Sequence, residues 1–425
     1  MRELPTAIRG IIEDFLGCAE AYPVRGLFFF TYAGICIAGN FFFVALRQEG
    51  FSGKEIGLLG SMAPLIGVLV QPIWGVVADR FDHSRCLRLA TLVTAAIVVR
   101  MYWVRGFWPF FYITALLALF RAPLQPLMDA VALDFVEARG KLSYGMFLIW
   151  ASIASGVGTA GTGWLIEGRA TRTAFLWGAG MMLAGILCGA LGKRATPKHS
   201  IEKTTFKGLG SVVRNVPLMA FLLIVFFVFF CSTAFWNFNG VYYTDLGGSS
   251  ILFGLAVAMA STGEIPFFFL AAPIFKRVGL HRTLLFTFAF STLRLFAYAF
   301  ISNPRVAVWL ELSNGISWTL FWVGAVEYIK QIVKPEWRAT VQSLLYACSF
   351  GAGTILGVVW NGFVLDYSRR HFQNPWVTLP VQKLFLASGL LFAAVTLVSV
   401  VYFKNVRQQP LAAAGAVPGA TGEIA

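Results

Sequence analysis

An all-α membrane protein, with twelve transmembrane helices in two pseudo-symmetric six-helix bundles, is the fold class this sequence predicts, and three observations predict it. The chain is 58% hydrophobic and 13% charged, with a mean hydropathy of +0.72, and so carries about half the charge of a soluble domain. Its apolar residues fall in long unbroken runs rather than alternating, and a lone helix satisfies its own backbone hydrogen bonds in hydrocarbon. The second half of the chain also repeats the first at a nearly constant offset, as in transporters built from duplicated bundles.

Taken in order, the elements begin with a cytoplasmic N-terminal segment over 1–23. It holds Glu13, Asp14 and Glu20 and lacks a continuous apolar core with a small-residue cleavage site, which argues against a signal peptide. Ile8, Ile11, Ile12, Phe15 and Leu16 repeat at helical spacing, which fits an interfacial helix or a loosely ordered tail. The N-terminal bundle, 24–191, has runs near 24–47, 55–78, 87–104, 107–135, 143–166 and 172–191, of the order of a bilayer in length. A cytoplasmic linker over 192–213 follows, in a polar break rich in Lys193, Arg194, Lys198, Lys203 and Lys207. The C-terminal bundle, 214–404, has runs near 214–244, 250–275, 283–301, 305–332, 338–365 and 380–403. The tail over 405–425 is rich in Ala, Gly and Pro from Gln408 onward and is expected to be disordered.

The net charge of +14 is spread in short clusters between apolar runs, which marks topology rather than a nucleic-acid interface. With both termini in the cytoplasm, 22 Lys/Arg fall in inside loops and tails, 9 outside and 3 within runs, accounting for all 34; short basic loops stay inside. The six cysteines are scattered without a Cys-x-x-Cys, so neither a metal site nor a disulfide framework is expected.

The repeat is specific in register. Moved back by 197 positions, Gly254–Leu284 lies over Gly57–Leu87 without a gap, with seven identities, and Arg277 and Arg282 fall on Arg80 and Arg85. At 198, Glu327 falls on Asp129; at 199, Gly362 and Asp366 fall on Gly163 and Glu167. Loop-length changes between two copies produce such small drifts.

Between the second and third runs stands Gly75-Val-Val-Ala-Asp79-Arg80-Phe-Asp82-His83-Ser84-Arg85. It resembles the loop after the second helix in the major facilitator superfamily, Gly-x-x-x-Asp-Arg-x-Gly-Arg-Arg, with Asp82 at the expected Gly and His83 at an expected Arg. Phe120-Arg-Ala-Pro-Leu-Gln-Pro-Leu-Met-Asp129-Ala, Ser143-Tyr144-Gly145, Gly263-Glu264-Ile265-Pro266, Leu293-Arg294-Leu295 and Arg338-Ala-Thr-x-Gln342 resemble its lactose-permease-like and phenylpropionate-permease-like branch. The resemblance covers all twelve runs. It implies cation-coupled, usually proton-coupled, uptake of a small organic solute such as a sugar, nucleoside or aromatic acid, by a protein that opens alternately to each side; a monomer in the plasma membrane, rather than in an organelle membrane, is expected.

An ionisable side chain near the bilayer centre costs about 2.5–3.5 kcal/mol on insertion scales unless it meets a partner or water. By helical rise, Arg121, Glu264 and Arg294 fall deepest. In the superfamily the fourth span lines the central cavity, so Arg121 is the first candidate for the solute, its planar fork matching a carboxylate or sugar hydroxyls. The alternative is an Arg that caps carbonyls freed by Pro123 and Pro126. Glu264 is the only carboxylate expected at mid-membrane, and it precedes Pro266. A carboxylate there can take a proton and release it when the site opens to the other side. In the lactose-permease-like branch functional Glu and Arg residues stand on the eighth and ninth spans, which implies that Glu264 and Arg294 form a switchable pair; a static ion pair between the two helices is the alternative.

Asn40, Gln125, Trp318 and Trp322 complete the candidate solute site, the amides as hydrogen-bonding groups and the indoles as a stacking face for a ring; interhelical packing is the commoner use of such amides. Gly75, Asp79, Arg80, Arg85 and Asp129 are the gate expected from the resemblance. Asp79 would meet the N-terminus of the eleventh span near Trp337–Ala339, and Arg85 would meet Asp129. His83, His199, His281 and His371 are expected in loops without flanking carboxylates, so no metal site is expected. Neither a nucleophile elbow nor an ATP-binding segment is present, so no cofactor and no catalysis are expected. An uncoupled facilitator, or a receptor that binds solute without moving it, remain as other readings.

Overall fold

The computed structural model describes residues 21–81, 83–139, 144–191, 215–333, 337–371 and 377–408. In chain order the helices are α1 (Tyr22–Gln48), α2 (Gly53–Arg80), α3 (His83–Met101), α4 (Phe107–Arg121), α5 (Leu124–Arg139), α6 (Tyr144–Leu165), α7 (Thr173–Leu191), α8 (Val216–Asn237), α9 (Asn239–Asp245), α10 (Ser250–Val278), α11 (Leu280–Phe300), α12 (Pro304–Leu310), α13 (Leu320–Ile332), α14 (Arg338–Tyr346), α15 (Thr354–His371) and α16 (Pro380–Gln408). Among the described residues no strand occurs, and nine helical stretches are long and apolar enough to cross a membrane. The chain is therefore an all-α, multi-pass membrane protein, with helix over every run expected from the sequence.

The differences from that expectation are breaks inside runs. The run at 107–135 divides into α4 and α5 at Ala122 and Pro123, where a residue without an N–H interrupts the ladder. The run at 214–244 divides at Phe238. The run at 305–332 passes through a 3₁₀ turn, Glu311–Ser313, and a π turn, Gly315–Thr319, between α12 and α13. A second π turn, Ala347–Gly353, joins α14 to α15. The helix α16 continues past the boundary expected at 404. The N-terminal Ile8–Leu16 pattern, the linker over 192–213, the tail beyond Gln408 and Asp82 lie outside the described residues.

Local chemistry explains the starts of the helices. Ser52 accepts from the Glu55 N–H at 3.3 Å, while Glu55 accepts from the Ser52 N–H at 2.8 Å, a reciprocal capping box. Ser249, which the 197-residue offset lays over Ser52, accepts from the Leu252 N–H at 3.2 Å. Gly50 and Gly247, related by the same offset, supply the left-handed residues of the preceding turns, with φ of 83° and 73°. The repeat is thus written in turn chemistry as well as hydropathy.

The two halves meet along two seams of small residues. In one, α2 packs on α15: a Cβ at Gly53 would strike the Gly362 carbonyl, and a Cβ at Gly362 would strike the Gly53 carbonyl. In the other, α6 packs on α10: a Cβ at Gly163 would strike the Ser250 carbonyl, and a Cβ at Gly254 would lie 2.9 Å from the Cα of Ala160. Small residues let the backbones touch where apolar side chains give helices in lipid no reason to associate. Polar contacts reinforce the same end. Asp366 accepts from the N–H groups of Gly53 and Lys54 at 2.7 and 2.8 Å, Glu167 accepts from the Ile251 N–H at 3.1 Å, and Arg47 holds Asp245 through two bonds of 2.8 and 2.9 Å. At the other end of α2, nothing among the described residues lies near the Cβ position of Gly75, and Arg80 is exposed.

Gly362→Val should force the α2–α15 seam apart and lower stability by about 1–3 kcal/mol, read as a lower unfolding temperature in detergent. Gly180→Val, at a helical glycine with nothing near its Cβ position, should leave that temperature within experimental error of the parent.

Candidate functional site

Arg121 is the last residue of α4, held at the break before α5. Its guanidinium is half-buried and has no hydrogen-bond acceptor or ion-pair partner among the described residues. The carbonyls freed at Pro123 and Pro126 therefore do not hold it. Gly39 on α1 gives it room, its Cβ position lying 3.8 Å from Arg121 Nη2. One turn apart on α1, Tyr32 and Cys36 lie within electrostatic reach of both Arg121 and Glu264. Span four of one half and α10 of the other thus converge on the same stretch of α1.

Glu264 is half-buried at the middle of α10, and its Oε1 accepts from Asn314 Nδ2 at 2.7 Å. The expected pairing of Glu264 with Arg294 is corrected here, because the carboxylate bound to Arg294 is Glu311. Arg294 and Glu311 are each 2% exposed, and Arg294 Nη2 donates to Glu311 Oε2. Its Nη1 donates to Asn314 Oδ1 at 2.7 Å and to Ser317 Oγ at 2.9 Å, and the Phe235 ring lies 4.5 Å from the guanidinium carbon. Glu311 also accepts from the Tyr298 hydroxyl, and from Asn239 Nδ2 at 2.6 Å. Such a pair is sustainable in low dielectric because nearly every lone pair and proton finds a partner.

The sequence reading missed Glu311, and with it the second membrane carboxylate. Its signal is a carboxylate within Trp309-Leu-Glu311-Leu, close enough to the start of the run to read as a boundary charge. The 3₁₀ and π turns then direct Glu311 and Asn314 toward α11 and α10, and such irregular turns recur at functional sites. Gly263 packs on the Leu312 carbonyl and Gly315 on the Gly263 carbonyl, bringing Asn314 within reach of Glu264.

Trp318 and Trp322 stack at 5.7 Å and 16°, and Tyr346 and Phe350 stack at 5.6 Å and 22°. Trp322 joins the two pairs, with its ring 5.3 Å from Tyr346 and from Phe350, and Trp236 abuts Trp318 at 4.9 Å. Asn40 donates to Thr159 Oγ1 at 3.0 Å, tying α1 to α6, and Gln125 donates to Asp129 Oδ1 at 2.9 Å, one turn away. Both amides are thus engaged within the N-terminal half.

Of the expected gate, Arg80 and Arg85 are exposed and Gly75 meets nothing, while the Asp79 side chain lies outside the described residues. The expectation for His83 is corrected: it opens α3, is 7% exposed, and its Nδ1 lies 3.1 Å from Asp134 Oδ2. His281 and His371 also lie within helices, and His199 falls outside the described residues. Among the described residues no group of three or more metal-ligating side chains occurs.

Residues 22–374 match the model of a family described as "MFS_1 like family". A maltose permease of Geobacillus stearothermophilus is 28% identical over 328 residues, covering 76% of this chain and 82% of the relative. A probable 3-phenylpropionic acid transporter of Escherichia coli (strain K12) is 25% identical over 356 residues, covering 80% and 89%. The crystal structure of the nucleoside transporter NupG superposes with a TM-score of 0.78 at 16% identity, covering 91% of this chain and 100% of that one; at that identity the likeness concerns the fold.

Glu311→Gln should strand Arg294 in the interior and cost roughly 3–5 kcal/mol, seen as a large fall in unfolding temperature in detergent. The double change Arg294→Met with Glu311→Leu should recover most of that loss, because an apolar pair needs no neutralisation.

Proposed function

Because the chain belongs to the MFS_1 like family of transporters, we propose that it is a secondary active transporter that carries a small organic solute by alternating access, driven by protons. The observation that carries this reading is Arg121, a half-buried cation without a protein counter-charge among the described residues. A fixed cation is costly at that depth, and an anionic or hydroxyl-rich solute would supply the missing partner. Glu264 stands across α1 from it and takes the coupling proton, with Arg294 and Glu311 behind it on α11 and the 3₁₀ turn. Trp318 and Trp322 offer the solute a flat apolar face; Asn40 and Gln125 line the same side as supports of α1 and α5.

The work comes from the proton gradient. The contacts of Asp366, Glu167 and Arg47 join the halves at one end of the bundle, and the charge distribution assigns the opposite end, with Gly75–Arg85, to the cytoplasm. Rocking of one half on the other would part the glycine seams and bring the Asp79 end together with the start of α14. The protein acts as a monomer in the plasma membrane with both termini inside.

Purified protein should be screened by thermal shift against sugars, nucleosides and aromatic acids; a ligand at a hundred times its Kd adds about 2.7 kcal/mol to stability. In proteoliposomes loaded with the hit, Arg121→Ala should abolish uptake with unchanged protein content, and retained uptake would remove Arg121 from the site. Glu264→Gln should retain exchange and lose accumulation driven by a pH gradient. Accumulation that persists would instead favour an uncoupled role for Glu264, and binding without any flux in the parent would favour a receptor.

A further inference from the structure

Glu264 and Arg294 carry opposite charges on adjacent helices, yet they do not touch. The carboxamide of Asn314 stands between them, donating through Nδ2 to Glu264 Oε1 at 2.7 Å and accepting at Oδ1 from Arg294 Nη1 at 2.7 Å. We infer that Asn314 is a positioning residue that acts as a spacer: it keeps the Arg294 guanidinium off Glu264 and so leaves Glu264 free to exchange a proton. This rests on the coupling role proposed for Glu264.

A carboxylate in direct contact with a guanidinium is held in its ionised form by charge and by a bidentate fork. A carboxylate so locked cannot cycle through its acid form. An amide is neutral and has one donating and one accepting end, so it passes a hydrogen bond to each neighbour without supplying a full charge to either. Its orientation is fixed by the partners, since the guanidinium only donates and an ionised carboxylate only accepts. The backbone contact of Gly263 with the Leu312 carbonyl and of Gly315 with the Gly263 carbonyl sets the distance that the amide must fill. Glu311 completes the device by taking Arg294 Nη2, so that the cation is already satisfied on its far side.

The other ionisable groups near Glu264 are accounted for. Tyr32 and Cys36 approach from α1 and Arg121 from α4, and Tyr298 and Tyr243 surround Glu311 from α11 and α9. In α9, Asp245 is engaged by Arg47. In α13, Glu327 and Lys330 pair at its exposed end, and Tyr328 bonds Tyr402 of α16. The helix α6, which also packs on α10, has no ionisable residue from Gly145 to Leu165.

The test needs no solute. Full-length protein reconstituted in lipid is titrated across about pH 5–9 by infrared spectroscopy, and the carboxylic-acid band that vanishes in Glu264→Gln is followed. Asn314→Ala removes the spacer and should lower the proton affinity of Glu264 by more than tenfold, a midpoint shift of more than about one pH unit toward acid. Asn314→Ser shortens the side chain while keeping a polar group, and should move the midpoint in the same acid direction; it decides the matter if Asn314→Ala does not reconstitute. Midpoints equal to the parent's in the variants overturn the spacer while leaving Glu264 as the coupling group. A parent band that does not titrate in that range overturns the coupling role and the spacer together.

Discussion

An arginine sealed between oily helices must be neutralised, and the neutralisation of Arg294 fixes how α10, α11 and the turns after α12 stand against one another. Its partners come from the turns after α12 and from α8: Glu311 opens the 3₁₀ turn, Asn314 stands between the 3₁₀ and π turns, Ser317 lies within the π turn, and the Phe235 ring belongs to α8. Glu311 and Asn314 stand three residues apart and so share a face, which lets one stretch of chain offer a carboxylate and an amide to the same guanidinium, and the glycines at 263 and 315 let that stretch approach α10.

The two arginines differ in their surroundings. Arg294 has its partners within the protein and organises the C-terminal half. Arg121, on the other half, has none among the described residues, and its surroundings are a glycine, a thiol, a phenol and, across α1, a carboxylate.

The closed end is built twice from one plan. Asp366 and Glu167, brought together by the internal repeat, each place a carboxylate on the first N–H groups of a helix in the other half, where the dipole and the unpaired donors favour negative charge by about 0.3–1 kcal/mol each. Contacts of this size are individually weak, and the glycine packing beneath them adds shape rather than charge. Much of this was legible in the sequence: the positions at 163 and 362, and at 167 and 366, already coincided at one offset, and Arg121, Glu264 and Arg294 already stood out as charges inside apolar runs. Glu311 was not legible, because its place near the start of a run resembled a boundary and its partners Arg294, Tyr298 and Asn239 lie on other helices. The roles of Asn40 and Gln125 as supports were not legible either, since an amide in a helix has the same spelling whether it faces a neighbour or a cavity.

The sequence by itself determined the all-α membrane class, the run boundaries to within a few residues and the duplicated plan, because hydropathy, turn glycines and caps act over a few neighbouring positions. Only the tertiary structure decided which buried charges are partners, that Glu311 rather than Glu264 neutralises Arg294, and that Asn314 stands between them. Those outcomes depend on distances between helices far apart in the chain and on local departures from α-helical geometry, and neither quantity is encoded in the spacing of residues along a single run.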